Sequence, residues 1–173
     1  MNSKKIYLIG LMGAGKSTIG KLLAKSLSWQ FLDLDHEIES LAEKTIPTIF
    51  KEECESGFRD YETQALKNTA ELQRAVIACG GGVVTRAENV DFLKNETTVW
   101  LEISAEEAAT RLEYSEDRPL LSECKDTLHE LNEILAARQE AYTETAKLRI
   151  SSGEYPPEII TCNIVKELEK MND

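Results

Sequence analysis

Five short runs of apolar and β-branched residues, at positions 5–9, 30–33, 75–79, 98–103 and 147–151, recur along the 173-residue chain and read as strands. Longer stretches with helical spacing separate them. Residues 16–27 place Ile19, Leu22, Leu23 and Leu27 on one face, and residues 126–145 do the same with Leu128, Leu131, Leu135 and Tyr142. Residues 157–171 begin with a proline suited to a first helical turn and repeat Ile160, Ile164, Val165 and Leu168, a helix expected to close the far face of the sheet. Short buried strands alternating with core-facing helices predict an α/β fold on a five-stranded parallel sheet. No repeat or low-complexity linker breaks the pattern. The polar stretch 113–117, followed by Arg118-Pro119, is too short to separate domains and reads as a mobile lid.

Between the first strand and the first helix, residues 10–17 read Gly-Leu-Met-Gly-Ala-Gly-Lys-Ser, a full match to G-x-x-x-x-G-K-[ST]. Its strand-before, helix-after context makes it a phosphate-binding loop. The glycines let successive N–H groups turn inward at a helix N-terminus and form an anion nest. Lys16 is then placed to reach the β- and γ-phosphates and Ser17 to meet Mg²⁺.

The second predicted strand ends in Phe31-Leu32-Asp33-Leu34-Asp35, and a strand's period of two puts the two carboxylates on one side. In open α/β sheets the ligand crevice lies beyond the carboxyl ends of the strands, beside the glycine loop. One acid there suits the water shell of Mg²⁺, the other an acceptor hydroxyl. Asp35 also precedes His36-Glu37-Ile38 and reads equally as a helix N-cap, a role compatible with catalysis. Cys79-Gly80-Gly81-Gly82 follows the third strand as either a flexible turn or backbone held close to a ligand. Arg59, on a helix expected over 46–62, suits a carboxylate or phosphate, or a surface ion pair with Glu55 or Glu62. Arg118 and Arg138 carry the same ambiguity between anion recognition and solvated surface.

Composition bounds the partners. The chain has 20 Lys and Arg against 31 Asp and Glu, a net charge of −11, without a basic run, so a nucleic-acid backbone is a poor partner. Small anionic substrates need a local cluster of cations instead. Four cysteines (Cys54, Cys79, Cys124, Cys162) lack a C-x-x-C pair and there are two histidines, which offers neither a zinc site nor a disulfide framework. A reduced, cytoplasmic setting is expected. The apolar run after Met1 is too short for a signal sequence, and no stretch approaches the roughly 18 apolar residues of a membrane span.

Taken in order, Gly-Leu-Met-Gly-Ala-Gly-Lys-Ser-Thr, Phe-Leu-Asp-Leu-Asp-His-Glu-Ile-Glu, Ile-Phe-(x)₇-Phe-Arg-(x)₂-Glu, Cys-Gly-Gly-Gly, Arg-Pro-Leu-Leu and Arg-(x)₃-Tyr resemble the shikimate kinase family over residues 5 to about 156. The resemblance implies a three-layer P-loop NTPase fold of the nucleoside-monophosphate-kinase type. It implies one kinase domain over 1–173, with a core at 1–33, 72–110 and 125–173, a substrate-binding helical segment at about 34–62 and a lid at about 112–124. The implied reaction is Mg²⁺-dependent transfer of the ATP γ-phosphoryl group to the 3-hydroxyl of shikimate, on the chorismate route to aromatic amino acids, by a monomer.

Residue by residue, the resemblance implies that Gly13, Ala14, Gly15, Lys16, Ser17 and Thr18 hold the ATP phosphates, while Ser17 and, through water, Asp33 position Mg²⁺. Asp35 binds the shikimate hydroxyls as base or orienter. Arg59 and Arg138 clamp the substrate carboxylate, and the backbone of Gly80, Gly81 and Gly82 lines the same pocket. Arg118 closes over ATP and joins Lys16 and Asp35 in catalysis, and Arg111 stacks on adenine opposite the loop 152–156, which ends at Pro156. Three positions depart from the family pattern. Cys54 stands where many members have Gly, so its turn is expected to differ. Leu34 replaces a frequent Ser or Thr, and the 152–156 loop lacks an arginine. Competing functions are another small-molecule kinase of this fold, acting on gluconate or a nucleoside monophosphate, or a non-enzymatic P-loop switch. A GTPase switch would carry Asn-Lys-x-Asp, which is absent.

Overall fold

A computed structural model describes residues 5–113 and 127–171. Strands β1 (Lys5–Ile9), β2 (Gln30–Asp33), β3 (Ala75–Ala78), β4 (Thr97–Glu102) and β5 (Leu148–Ser151) form one sheet in the order β2-β3-β1-β4-β5. Every pairing is parallel, with Ile6 of β1 opposite Val76 of β3 on one side and Thr97 of β4 on the other. β1 and β3 are buried along their whole length, whereas the edge strands β2 and β5 are only partly covered. This explains the continuous apolar runs at 5–9 and 75–78, because an inner parallel strand is packed on both faces. At the start of β1 the buried Lys5 amino group donates to the Ala70 carbonyl (3.0 Å) and pairs with Glu96 (3.0 Å), which compensates its burial.

Helices α1 (Lys16–Leu27), α2 (Leu34–Ala42), α3 (Ile46–Asn68), α4 (Ala87–Lys94), α5 (Ala105–Glu113), α6 (Thr127–Thr145) and α7 (Pro157–Lys170) accompany the sheet, with short 3-10 turns at Thr69–Glu71 and Val83–Thr85. Alternate residues of β1 separate two cores. Tyr7 and Ile9 pack with Leu34, Ile38, Ile49, Phe58, Leu66 and Leu93 of α2, α3 and α4. Ile6 and Leu8 pack with Ile19, Leu23, Ile160 and Ile164 of α1 and α7. α6 joins both: Leu131 lies in the second core, Tyr142 in the first, and Leu135 packs against each. Tyr142 stacks on Trp100 of β4 with ring centroids 5.5 Å apart.

The sequence pattern leaves α4 and α5 unassigned. α5 carries a start signal all the same: Ser104 accepts from the Glu107 N–H (3.2 Å) and the Glu107 carboxylate accepts from the Ser104 N–H (3.3 Å), a reciprocal cap. α3 runs past the expected end at Glu62 to Asn68, and Cys54 interrupts it with φ 59° and ψ −174°. The departure expected at Cys54 therefore takes a definite form. Its Cβ sits in a conformation that suits glycine, and the helix kinks there.

Candidate active site

The glycine loop, the two acids and the triple glycine follow β1, β2 and β3, three adjacent strands, so the sheet brings all of them to one carboxyl edge. Gly10, Gly13 and Gly15 have φ of 138°, 83° and 82°. At Gly13 a Cβ would stand 3.1 Å from the Ala108 carbonyl, and at Gly10 it would collide with the Leu101 carbonyl, so β4 and α5 crowd the loop from outside. Gly15 is the left-handed cap of α1, which aims the first N–H groups of that helix into the loop. Ala14 is buried, whereas Ser17 and Thr18 are exposed at the helix start. Lys16 folds its ammonium back onto its own loop, donating to the carbonyls of Gly10 (2.8 Å) and Leu11 (2.9 Å). A phosphate is a better partner for that charge than two neutral carbonyls.

Ser17 Oγ donates to Asp33 Oδ2 at 2.6 Å, and Asp33 Oδ1 accepts from the Asp35 N–H at 3.2 Å. This corrects two sequence expectations. β2 ends at Asp33, so Asp35 owes its direction to the first turn of α2 and not to strand alternation, and the cap of α2 is Asp33. The cap arises because Asp33 is the last extended residue, with ψ 120°, and its carboxylate reaches forward to the second helical N–H. Asp35 still reaches the shared edge, since a Cβ on Gly80 would lie 3.1 Å from its Oδ1.

The turn 80–82 is where the two halves of the site meet. Gly80 faces Asp35 and Glu62. Gly81 lies against the glycine loop, with a Cβ there 3.4 Å from the Gly10 carbonyl and 3.7 Å from Arg138 Nη1. At Gly82 the Arg59 guanidinium occupies the place a Cβ would need. Tyr142 donates its hydroxyl to the Gly81 carbonyl at 2.5 Å and fixes the turn from behind. Burial pushes that phenol up to about 12, against the lowering effect of the Arg138 charge beside it.

Arg59 Nη1 donates to Glu62 at 2.7 Å, while Nε and Nη2 both donate to Glu55, at 3.3 and 3.0 Å. Both ion pairs foreseen from the sequence therefore form. One is not a surface pair, because the Glu62 side chain is fully buried. Glu62 Oε1 has no hydrogen-bond partner. Burial raises the Glu62 carboxyl above its usual range and Asp35 adds to that, while Arg59 and Arg138 oppose it. The buried Cys79 thiol is raised by burial and by Glu62, Asp35 and Asp33, with Lys16 opposing, which makes it a packing residue rather than a nucleophile.

Arg111 uses its guanidinium to join two loops, donating to the carbonyls of Gly13 (3.1 Å), Ser152 (2.6 Å) and Gly153 (3.1 Å). It thus links the phosphate loop to the 152–156 loop, where exposed Pro156 caps α7. Arg118 and nearly all of the expected lid lie outside the described residues. Sequence reasoning missed the buried role of Glu62 and the Tyr142 bond to Gly81. The i,i+4 spacing of Arg138 and Tyr142 was the available signal for the latter, since it sets both on one helix face.

Among the described residues no group of three or more His, Cys, Asp and Glu is arranged to hold a metal, and no helix is long and apolar enough to cross a membrane. A hydroxyl and one carboxylate at the phosphate loop nevertheless fit Mg²⁺, which takes few protein ligands and completes its shell with water and phosphate oxygens.

Loop, sheet order and the acids and arginines beside them define the class, a small P-loop phosphotransferase. The model of the family described as "Shikimate kinase" matches residues 12–169. A shikimate kinase of Synechococcus elongatus is 40% identical over 168 residues, covering 96% of this chain and 87% of that one. The structure of a shikimate kinase from Acinetobacter baumannii in complex with shikimate superposes with a TM-score of 0.91 at 36% identity, covering 98% of this chain and 94% of the other. A gluconokinase from Sinorhizobium meliloti, at 15% identity and a TM-score of 0.59 with 99% and 98% coverage, shares the fold alone. The chain belongs to the shikimate kinase family.

Proposed function

We propose that this chain transfers the γ-phosphoryl group of ATP to the 3-hydroxyl of shikimate, giving ADP and shikimate 3-phosphate, on the route to chorismate and the aromatic amino acids. The observation that carries this reading is the turn 80–82, whose three glycines meet, in order, a carboxylate at Asp35, the phosphate loop with Arg138, and the Arg59 guanidinium. A carboxylated alcohol seated on that turn has cations for its carboxylate and an acid for its hydroxyl, with the phosphate loop alongside. Phosphoryl transfer asks for little else, since its catalysis is mainly positioning and charge stabilisation.

On this reading Gly13 to Thr18 cradle the ATP phosphates, and Lys16 leaves the Gly10 and Leu11 carbonyls for phosphate oxygens. Ser17, and Asp33 through water, hold Mg²⁺, which neutralises charge on the β- and γ-phosphates when bound. Asp35 orients the acceptor hydroxyl and takes its proton, and Arg59 and Arg138 bind the carboxylate bidentately. The Gly80 to Gly82 backbone forms the pocket wall. Arg111 and Pro156 flank the adenine, with Arg111 keeping its bonds to the loop carbonyls. Arg118 is assigned to the transferring charge from the sequence motif. The free thiols of Cys54, Cys79 and Cys162 suit a reducing cytoplasm, and the exposed large apolar side chains Leu41, Leu128, Tyr155, Ile159 and Met171 are scattered over three helices, one loop and the residue after α7, as suits a monomer.

The test is ADP release from ATP and Mg²⁺ with shikimate, gluconate or AMP supplied in turn. Shikimate-dependent turnover is expected. Its absence at millimolar shikimate, or a larger signal with gluconate or AMP, overturns the proposal.

A further inference from the structure

The Arg59 guanidinium is held by two carboxylates of opposite character. Glu62 is fully buried and binds Nη1 from inside the protein, a contact that can be broken only by leaving a buried charge uncompensated. Glu55 is one helical turn back on α3, 66% exposed, and a single oxygen of its carboxylate takes both Nε and Nη2. The edge formed by Nε and Nη2 is one of the two forks with which arginine recognises a carboxylate bidentately. Here it faces outward and is covered by a glutamate. The position of the guanidinium itself is fixed independently, between Glu62 and the space left open at Gly82.

We infer that Glu55 holds the place of the substrate carboxylate: it covers the outer fork of Arg59 until a ligand carboxylate displaces it. The inference rests on the reading of Arg59 as the carboxylate clamp. Its physical content is an exchange. A carboxylic acid replaces the Glu55 carboxylate like for like, so the guanidinium is never left without a partner, whereas a neutral ligand supplies no charge in return and leaves Glu55 in place. Glu55 therefore weakens the acid by the cost of its own displacement and closes the fork to uncharged ligands, which bind with the Arg59–Glu55 pair left in place. Displacement is feasible because the pair is solvent-exposed on the Glu55 side, where such pairs are weak. Arg59 stays charged throughout: burial works against the charge, and Glu62 and Glu55 raise its basicity beyond that.

The experiment measures dissociation constants of shikimate and of its neutral carboxamide by calorimetry, for the full chain and for Glu55→Gln, with Glu55→Ala as a second variant. Because Glu55 is exposed on a helix surface, both variants are expected to fold, and thermal unfolding checks it. Removing an exposed pair that competes with the ligand is expected to tighten shikimate binding by about 2- to 5-fold. The gap between shikimate and the carboxamide is expected to widen, since the acid recovers the whole cost of displacing Glu55 whereas the amide gains only its weaker contact with the vacated fork. Shikimate binding that is unchanged or weaker in both variants overturns the inference, because the substrate then uses the N–H groups Glu55 leaves over or needs Glu55 to aim the guanidinium. Equal binding of shikimate and carboxamide by the unmodified protein overturns the clamp reading itself, and with it this inference, before any variant is considered. A purely structural role for Glu55 moves both ligands equally and leaves the gap unchanged, which also overturns it.

Discussion

Replacing Cys54 by glycine tests the strain in α3. Cys54 has φ 59° and ψ −174° in the interior of a 23-residue helix, a conformation that is almost confined to glycine. Holding a residue with a Cβ there costs about 1–3 kcal/mol. The side chain is exposed, so its removal gives up little burial. Against the relief stands the greater freedom of glycine in the unfolded chain, about 0.5–1 kcal/mol. The difference is a net stabilisation of about 0.5–2 kcal/mol. For a domain of this size each kcal/mol raises Tm by about 2–4 °C. Scanning calorimetry under reducing conditions reads the effect, with Cys54→Ser as the control that removes the thiol but keeps the Cβ. Cys54→Gly is expected to melt a few degrees above both the parent and Cys54→Ser. A Cys54→Gly protein that melts at or below Cys54→Ser refutes the reasoning, because the backbone would then carry no strain for glycine to release.

Other outcomes follow from the site. Asp35→Asn is expected to lower kcat by about 10² or more if the acid takes the hydroxyl proton, and near-normal turnover reduces Asp35 to a residue of the first turn of α2. Arg138→Ala is expected to raise the shikimate KM while leaving ATP affinity in the binary complex unchanged; equal losses for both ligands argue against a carboxylate clamp. Gly82→Ala puts a methyl group where the Arg59 guanidinium lies, so shikimate binding is expected to fall at least tenfold, roughly the loss of one good charge-assisted contact, with ATP binding retained by calorimetry. Tyr142 is raised from an ordinary value of 10.0 to about 12, so between those values the folded state keeps a proton that the unfolded state loses. Stability is fully present below about pH 10 and falls as pH rises through about 12. Tyr142→Phe is expected to flatten that part of the urea-unfolding profile, and an unchanged profile contradicts the assignment.

How much was legible in advance follows from how local each signal is. The phosphate loop was readable because its spacing, its glycines and the strand and helix on either side are all contiguous, and the structure keeps Gly10, Gly13 and Gly15 at positive φ as the motif requires. Period and burial fixed β1, β3, α1 and α7 to within a residue or so. α4 went unread because eight residues give barely two turns of periodicity, and α5 because its reciprocal Ser104–Glu107 cap was the only strong mark it carries. The pair Asp33 and Asp35 was found for a partly wrong reason, since the strand stops between them and a helix turn completes the approach.

The sequence by itself determined that the protein binds a nucleotide phosphate, alternates strands with helices, and concentrates its few well-placed cations against a net charge of −11. These are properties of residue type and short-range spacing. Only the tertiary structure decided which of Arg59's neighbours is buried and which is exposed, that Gly82 yields its side-chain volume to that guanidinium, and that Tyr142 bolts the turn from a helix 61 residues away. Glu55 and Glu62 are both one helical turn from Arg59, and nothing local distinguishes them. The distinction comes from desolvation, which depends on what the rest of the chain packs against each carboxylate, and that is settled when β3, α3 and α6 close around the same edge of the sheet.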